Sequence, residues 1–192
     1  MYKHSLHLVF LFIVLTATPA FAQEPEQTLT TNTANATIVL GVTEVSLIKA
    51  SSNIINLQLK QREAGQSIET MATDSAARLL ISSVISTSNP RTLTAKITSG
   101  TVPTGTTLEL QAQPPNPNFV GLPGLFTPSI PLDGTDKPFI TNIETCYSGT
   151  GLSDGYPLKF DYTLNTNLST YGALRATAGT QIVVTFTLTA AL

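Results

Sequence analysis

Residues 179–192, reading GTQIVVTFTLTAAL, constrain the fold of this chain more than any other stretch. From Ile182 the pattern alternates strictly. Ile182, Val184, Phe186, Leu188 and Ala190 fall on one face, and Val183, Thr185, Thr187 and Thr189 on the other. A period of two marks a strand with one face in a core. Its β-branched and aromatic residues suit a pleated, half-buried surface. A strand this apolar at a chain end needs flanking partners or a cap, because a bare edge is a template for another chain. The expectation is a β-structure closed by its C-terminal strand.

The same period recurs upstream. Residues 37–42 and 44–49 read as two strands, or as one bent at Gly41. Residues 53–60 set Leu57 and Leu59 against Gln58 and Lys60, and strand signals return at 79–85, 91–99, 106–113, 139–146 and 156–165. Residues 61–78, broken by Gly65, read as loop. The segments 91–99 and 106–113, joined by SGTVPTG, read as an antiparallel pair. About eight or nine short strands without a helical period predict an all-β fold, an antiparallel Ig-like β-sandwich. It forms one domain over residues 36–192.

The N-terminus reads as a signal peptide over residues 1–22. Lys3 precedes an apolar run at 6–15, and Ala20-Phe21-Ala22 supplies the small-x-small cleavage pattern. That run is too short to span a bilayer, and no later run reaches spanning length. Residues 23–35 form a polar leader. The expected product is exported: periplasmic, cell-surface or extracellular. Cleavage removes both histidines, His4 and His7, from a chain with one cysteine and no tryptophan. Ser-His-Asp and Cys-His nucleophiles are then excluded, as are zinc sites built on histidine or several cysteines. A net charge of −2 without a basic block offers nucleic acid no counterion-release term. The expectation is a protein with no enzymatic activity, cofactor or metal. Asp133, Asp136, Asp154 and Asp161 are the carboxylates a glycosidase would draw on, but three sit in turn-forming loops and Asp161 on an outward face. Tyr147, Tyr156 and Tyr171 are the rings a sugar would stack on. Cys146, without a partner, reads as a buried small apolar residue.

Two loops stand out. Residues 114–138 hold seven prolines among Phe119, Val120, Leu122, Leu125, Phe126 and Ile130. This many prolines excludes a central strand. Either the segment crosses one end of the sandwich and caps the core, or it exposes an apolar patch to a partner. In the second case Phe119, Leu122, Leu125 and Phe126 form the partner-binding loop. Residues 148–155, SGTGLSDG, lack the Lys-Ser/Thr of a P-loop and the carboxylates of an EF-hand, and read as a hairpin connection. A single-carboxylate calcium site at Asp154 is the other reading.

The motifs CYSGTG, GYPLKFDYTLN and YGALRATAGTQIVVTFTLT together resemble the C-terminal half of exported bacterial β-sandwich proteins. More distantly, PLKFDYTLN followed by AGTQIVVTFTLT is similar to the end of the spore-coat-protein-U-like domain, which builds pili by the archaic chaperone–usher route. The resemblance covers roughly the last fifty residues. It implies an extracellular structural or adhesive subunit whose partners are other subunits, joined through strand addition, or surface glycans. Residues 36–42 are the candidate donor strand. The alternative reading is a monomeric extracellular module that binds its ligand with loops 114–138 and 148–155.

Overall fold

The computed structural model describes residues 35–51, 54–86, 89–165, 167, 171–177 and 179–190. The chain divides into two compact units, Met1–Leu40 and Gly41–Leu192. The expected signal peptide, and the expected leader apart from Asn35, lie outside the described residues. Among the described residues no helix is long and apolar enough to cross a membrane.

Unit Gly41–Leu192 is an all-β, antiparallel sandwich. Its strands are β1 (Val45–Ala50), β2 (Met71–Asp74), β3 (Arg78–Val84), β4 (Arg91–Ser99), β5 (Thr106–Ala112) and β6 (Val120–Gly121), followed by β7 (Leu125–Phe126), β8 (Ile130–Pro131), β9 (Lys137–Ile143), β10 (Cys146–Tyr147), β11 (Tyr156–Leu164) and β12 (Val183–Ala190). Four of these, β6, β7, β8 and β10, are only two residues long. Seven of the remaining eight answer to the periodicity, which needs more than two residues to register; β2 does not. One sheet runs β6-β10-β3-β11-β5-β8, with β1 on β3 and β2 on β11; the other runs β12-β4-β9-β7.

Alternation becomes burial directly. In β3, Leu79, Ile81 and Ser83 are buried between half-buried neighbours. From the facing sheet, Leu93 and Ala95 of β4 and Phe139, Ile140 and Ile143 of β9 are fully enclosed. Phe139 meets Phe186 of β12 edge-on, with ring centres 5.9 Å apart. An enclosed side chain of this size contributes about 1.5–3 kcal/mol by leaving water.

Three connections differ from expectation. The segments 91–99 and 106–113 do not pair. β4 joins β12 and β9, whereas β5 joins β11 and β8 in the other sheet. Two amphipathic strands bury their apolar faces equally well by facing each other across the core, and the linker here is longer than the two-residue turns that favour hairpins. Residues 148–155 are not a hairpin connection either. β1 occupies one edge of β3 from Leu79 to Val84, so β10 and β11 both lie on the other. Tyr147 sits opposite Ser82 and Tyr156 opposite Leu79. Nine steps of chain thus cover three of β3, and six residues leave the strand line. Finally, β2 lies in the stretch expected to be loop. It continues the line of β3 along β11, with one extra residue taken up around 75–77, a bulge.

Candidate functional site

The C-terminal strand does not close the fold on both sides. β12 pairs with β4 along one edge and, among the described residues, with nothing along the other. Its sequence VVTFTLTA holds no charge and no proline, the usual guards of an edge strand. Val184, Phe186 and Leu188 pack against the core yet remain half-exposed. In the opposite sheet β1 is also an edge strand, and it comes within 8 Å of β12, Cα to Cα. The two edges therefore flank one seam of the sandwich.

Among its described residues, the segment expected as a strand at 53–60 forms none. Its described part is extended, and Ile55, Leu57 and Leu59 alternate half-buried with exposed Asn56, Gln58 and Lys60. Ile55 and Leu57 pack on the core. Yet residues 55–59 make no backbone hydrogen bond among the described residues. They have the side-chain arrangement of a strand without a ladder, which leaves N–H and C=O groups unmatched by protein. Residues 37–42, also expected as strand, form none: Ile38, Val39, Leu40 and Val42 are 77–90% exposed. The residue that begins the anchored chain is Glu44. Its carboxylate lies 2.6 Å from Nη2 of Arg91, whose side chain is only 6% exposed.

The proline-rich segment crosses the end of the sandwich and gives a short strand to each sheet in turn: β6 to β10, β7 to β9, β8 to β5. Its four candidate residues separate into two pairs. Phe119 and Phe126 turn inward onto Tyr156, at ring distances of 5.3 and 5.8 Å. Leu122 and Leu125 point outward, 55% and 61% exposed. Tyr156 organises the crossing. It is fully buried, and its hydroxyl donates to the Pro123 carbonyl at 2.8 Å. Burial raises its pKa far above the ordinary phenol value. Tyr156 is therefore no sugar platform. Tyr147 is half exposed, and the Tyr171 hydroxyl accepts from the Ile68 N–H.

The two loops are fastened together at Asp154. Its carboxylate is buried and accepts from Asn116 Nδ2 at 3.1 Å, the Gly151 N–H at 2.7 Å and Asn118 Nδ2 at 3.2 Å. These bonds, with Asn116 foremost, hold its pKa below the usual range. A ring of donors suits an anion and turns the carboxylate away from calcium-ligand chemistry. Gly149 is required beside it, because its φ is +82° and a Cβ there would collide with the carboxylate. Asn116 and Asn118 escape sequence reasoning because nothing local ties them to a residue 36 or 38 positions away. Ser148 marks the point where the chain leaves its strand line. Its N–H donates to the Ile81 carbonyl, and its hydroxyl accepts from the Ile81 N–H, both at 3.0 Å.

The other carboxylates have their own partners. Asp133 bonds Lys137 and Thr135, Lys137 first, which drives its pKa far down. Burial of Asp161 opposes its charge, but Lys159 and Thr73 outweigh that effect and lower its pKa. Asp136 pairs with Lys96. A glycosidase acid needs a raised pKa, the opposite of what Asp133, Asp154 and Asp161 have. Cys146 is free and buried, and burial pushes its thiol up to about 11. That suppresses the thiolate needed for reactivity.

Compared with protein-family models, curated proteins and solved structures, the chain finds no match.

Proposed function

We propose that this chain is an exported, non-catalytic structural or adhesive surface protein. It is a pilus-like subunit that accepts a strand from a second copy along the seam between β1 and β12. The observation that carries the reading is the edge of β12 beside β1, unpaired among the described residues and without charge or proline. The extended 55–59 segment, core-packed at Ile55 and Leu57 without a ladder, is a further stretch of unmatched backbone. A strand laid there would satisfy free backbone groups and cover the half-exposed Val184, Phe186 and Leu188. The donor is residues 36–42, ATIVLGV. In an extended conformation they set Ile38, Leu40 and Val42 on one face, and these are exposed. The monomeric binding module is the competing reading, favoured by the fastening of both loops through Asp154.

The test is size and unfolding of a chain starting at residue 23, beside Ile38→Asp and Leu40→Asp variants. Both side chains are exposed, so neither change disturbs the sandwich. The expected result is a ladder of oligomers that collapses to monomer in both variants. A peptide of residues 36–42, added to a chain lacking residues 23–42, should raise its unfolding temperature. A cooperative monomer at every concentration, indifferent to the peptide, would overturn strand addition. Glycan and peptide screens against the two loops would then take priority.

A further inference from the structure

Two lines of chain run alongside each other without joining. β1 pairs with β3 from Val45 opposite Val84 to Ala50 opposite Leu79. The next step holds as well: the Ser51 N–H donates to the Arg78 carbonyl at 2.8 Å, and the Arg78 N–H to the Ser51 hydroxyl at 2.9 Å. The lines meet again where the Glu69 N–H donates to the Lys60 carbonyl at 2.9 Å and the Lys60 N–H to the Glu69 carboxylate at 3.0 Å. Ser51 to Lys60 is nine steps, and Arg78 back to Glu69 is also nine, so the register of β1 on β3 runs through to the second clasp. It sets Ile55 opposite Asp74, Asn56 opposite Thr73, Leu57 opposite Ala72 and Gln58 opposite Met71. The side chains agree: Ile55, Leu57, Ala72 and Asp74 are half-buried, whereas Asn56, Gln58, Met71 and Thr73 are exposed. The backbone agrees too. The Thr70 carbonyl accepts from Leu164 of β11 at 2.8 Å, while Glu69 turns to Lys60. Backbone groups alternate in direction along a strand, so those of Met71 and Thr73 face residues 55–59. Register, side-chain phase and backbone direction are set for a ladder, yet residues 55–59 make no backbone hydrogen bond among the described residues.

We propose that residues 55–59 are a strand poised to close on β2, and that a strand added along the seam drives it shut. Closing forms the rungs Asn56–Thr73 and Gln58–Met71, each pair exchanging both of its hydrogen bonds. No guest strand takes this place, because the clasps at Ser51–Arg78 and Lys60–Glu69 hold the two lines a single strand spacing apart, about 4.8 Å. Closure also changes the other edge. With Asn56 and Gln58 turned to β2, the backbone groups of Ile55, Leu57 and Leu59 point the opposite way, along the edge that β1 begins. Open, that edge offers ordered groups only over Val45–Ala50; closed, it runs on to Leu59. β1 is the strand that flanks the seam with β12. A strand in the seam bonds an aligned edge better than a loose one. Closing therefore strengthens the addition, and by linkage the addition favours closing. This coupling rests on strand addition at the seam; the rungs themselves do not.

The experiment uses a full chain carrying Leu40→Asp, whose own arm is disabled as a donor, and a peptide of residues 36–42. Amide hydrogen exchange is followed at Asn56, Gln58, Met71 and Thr73, and peptide binding by the unfolding temperature. Without peptide the four amides should exchange as open backbone. With it they should slow about tenfold, an ordinary size for coupling between two sites. Gln58→Cys with Met71→Cys, both exposed positions, should form a disulfide within one chain under mild oxidation. That disulfide should slow the Asn56 and Thr73 amides without peptide and tighten peptide binding. Gln58→Cys with Thr73→Cys, which is out of register, should cross-link more slowly; Cys146 is buried and takes no part. Cross-linking that does not prefer position 71 over 73, or a peptide that raises the unfolding temperature while the four amides exchange as before, would overturn the proposal and leave strand addition standing. A peptide without effect on the unfolding temperature sinks strand addition and the coupling with it, and the disulfide still reads the rungs on its own.

Discussion

Arg91 carries the most informative single perturbation. Its guanidinium is almost completely enclosed, bonded to Glu44 at 2.6 Å and to the Val84 carbonyl at 3.5 Å, and its Nε has no partner. Removing one partner of a fully buried ion pair costs about 3–5 kcal/mol, because the remaining charge is left uncompensated. Glu44 is half exposed, so water already screens its side of the pair. The expected loss for Glu44→Ala is therefore about 2 kcal/mol. For a domain of this size that lowers the unfolding temperature by roughly 4–8 °C. Glu44→Gln retains an acceptor and should lose less. In Glu44→Gln with Arg91→Met no charge remains to be stranded, so the double variant should fall within about 1 kcal/mol of the parent. Urea unfolding of the parent, Glu44→Gln, Arg91→Met and their double variant, followed by circular dichroism, closes the cycle, with Glu44→Ala measured beside them. The reasoning is refuted if Glu44→Ala loses under about 0.5 kcal/mol, or if the double variant is as unstable as the two single losses added together.

Other outcomes follow from the same geometry. Tyr156→Phe removes the bond to the Pro123 carbonyl and should cost about 1 kcal/mol, read by urea unfolding. Asp133, Asp154 and Asp161 all have lowered folded pKa values, so the stability they contribute is present above the unfolded value of about 4 and is lost as pH falls toward the folded ones. The unfolding midpoint should be flat at neutral pH and drop in acid, and Asp154→Asn should soften that drop. Cys146 and Tyr156 are raised, so the opposite sign applies. Stability is fully present below the unfolded thiol value of about 8.5, and the thiol's share is lost as pH rises toward its folded value of about 11. The Cys146 thiol should ignore a disulfide reagent at neutral pH until the chain unfolds, which a thiol assay run with and without denaturant measures.

Long alternation was legible and short pairing was not. The spans expected at 91–99, 106–113 and 156–165 coincide with β4, β5 and β11 to within a residue, because each holds three or more alternating apolar positions. Two-residue strands such as β6 and β10 have no period to read; they exist because a long partner offers them a ladder. β2 reads MATD, a poor strand by composition, and is recruited by β11. At 37–42 the reverse holds: the composition suits a strand, and no ladder forms. Which sheet β4 and β5 join depends on what lies across the core, which local sequence does not encode. In the crossing loop, apolar composition did not separate Phe119 and Phe126, folded onto Tyr156, from Leu122 and Leu125, which face water.

The six residues that leave the strand line between β10 and β11 have a consequence for variation and engineering. Both ends of that excursion hang on a single neighbour, β3: Ser148 on Ile81 at one end and Tyr156 on Leu79 at the other. The length of chain between them is thus decoupled from sheet register. Doubling a loop costs only about 0.6 kcal/mol in closure entropy. Foreign sequence grafted beside Leu152 would be displayed from the sandwich without shifting any strand, provided Asp154 keeps its asparagines.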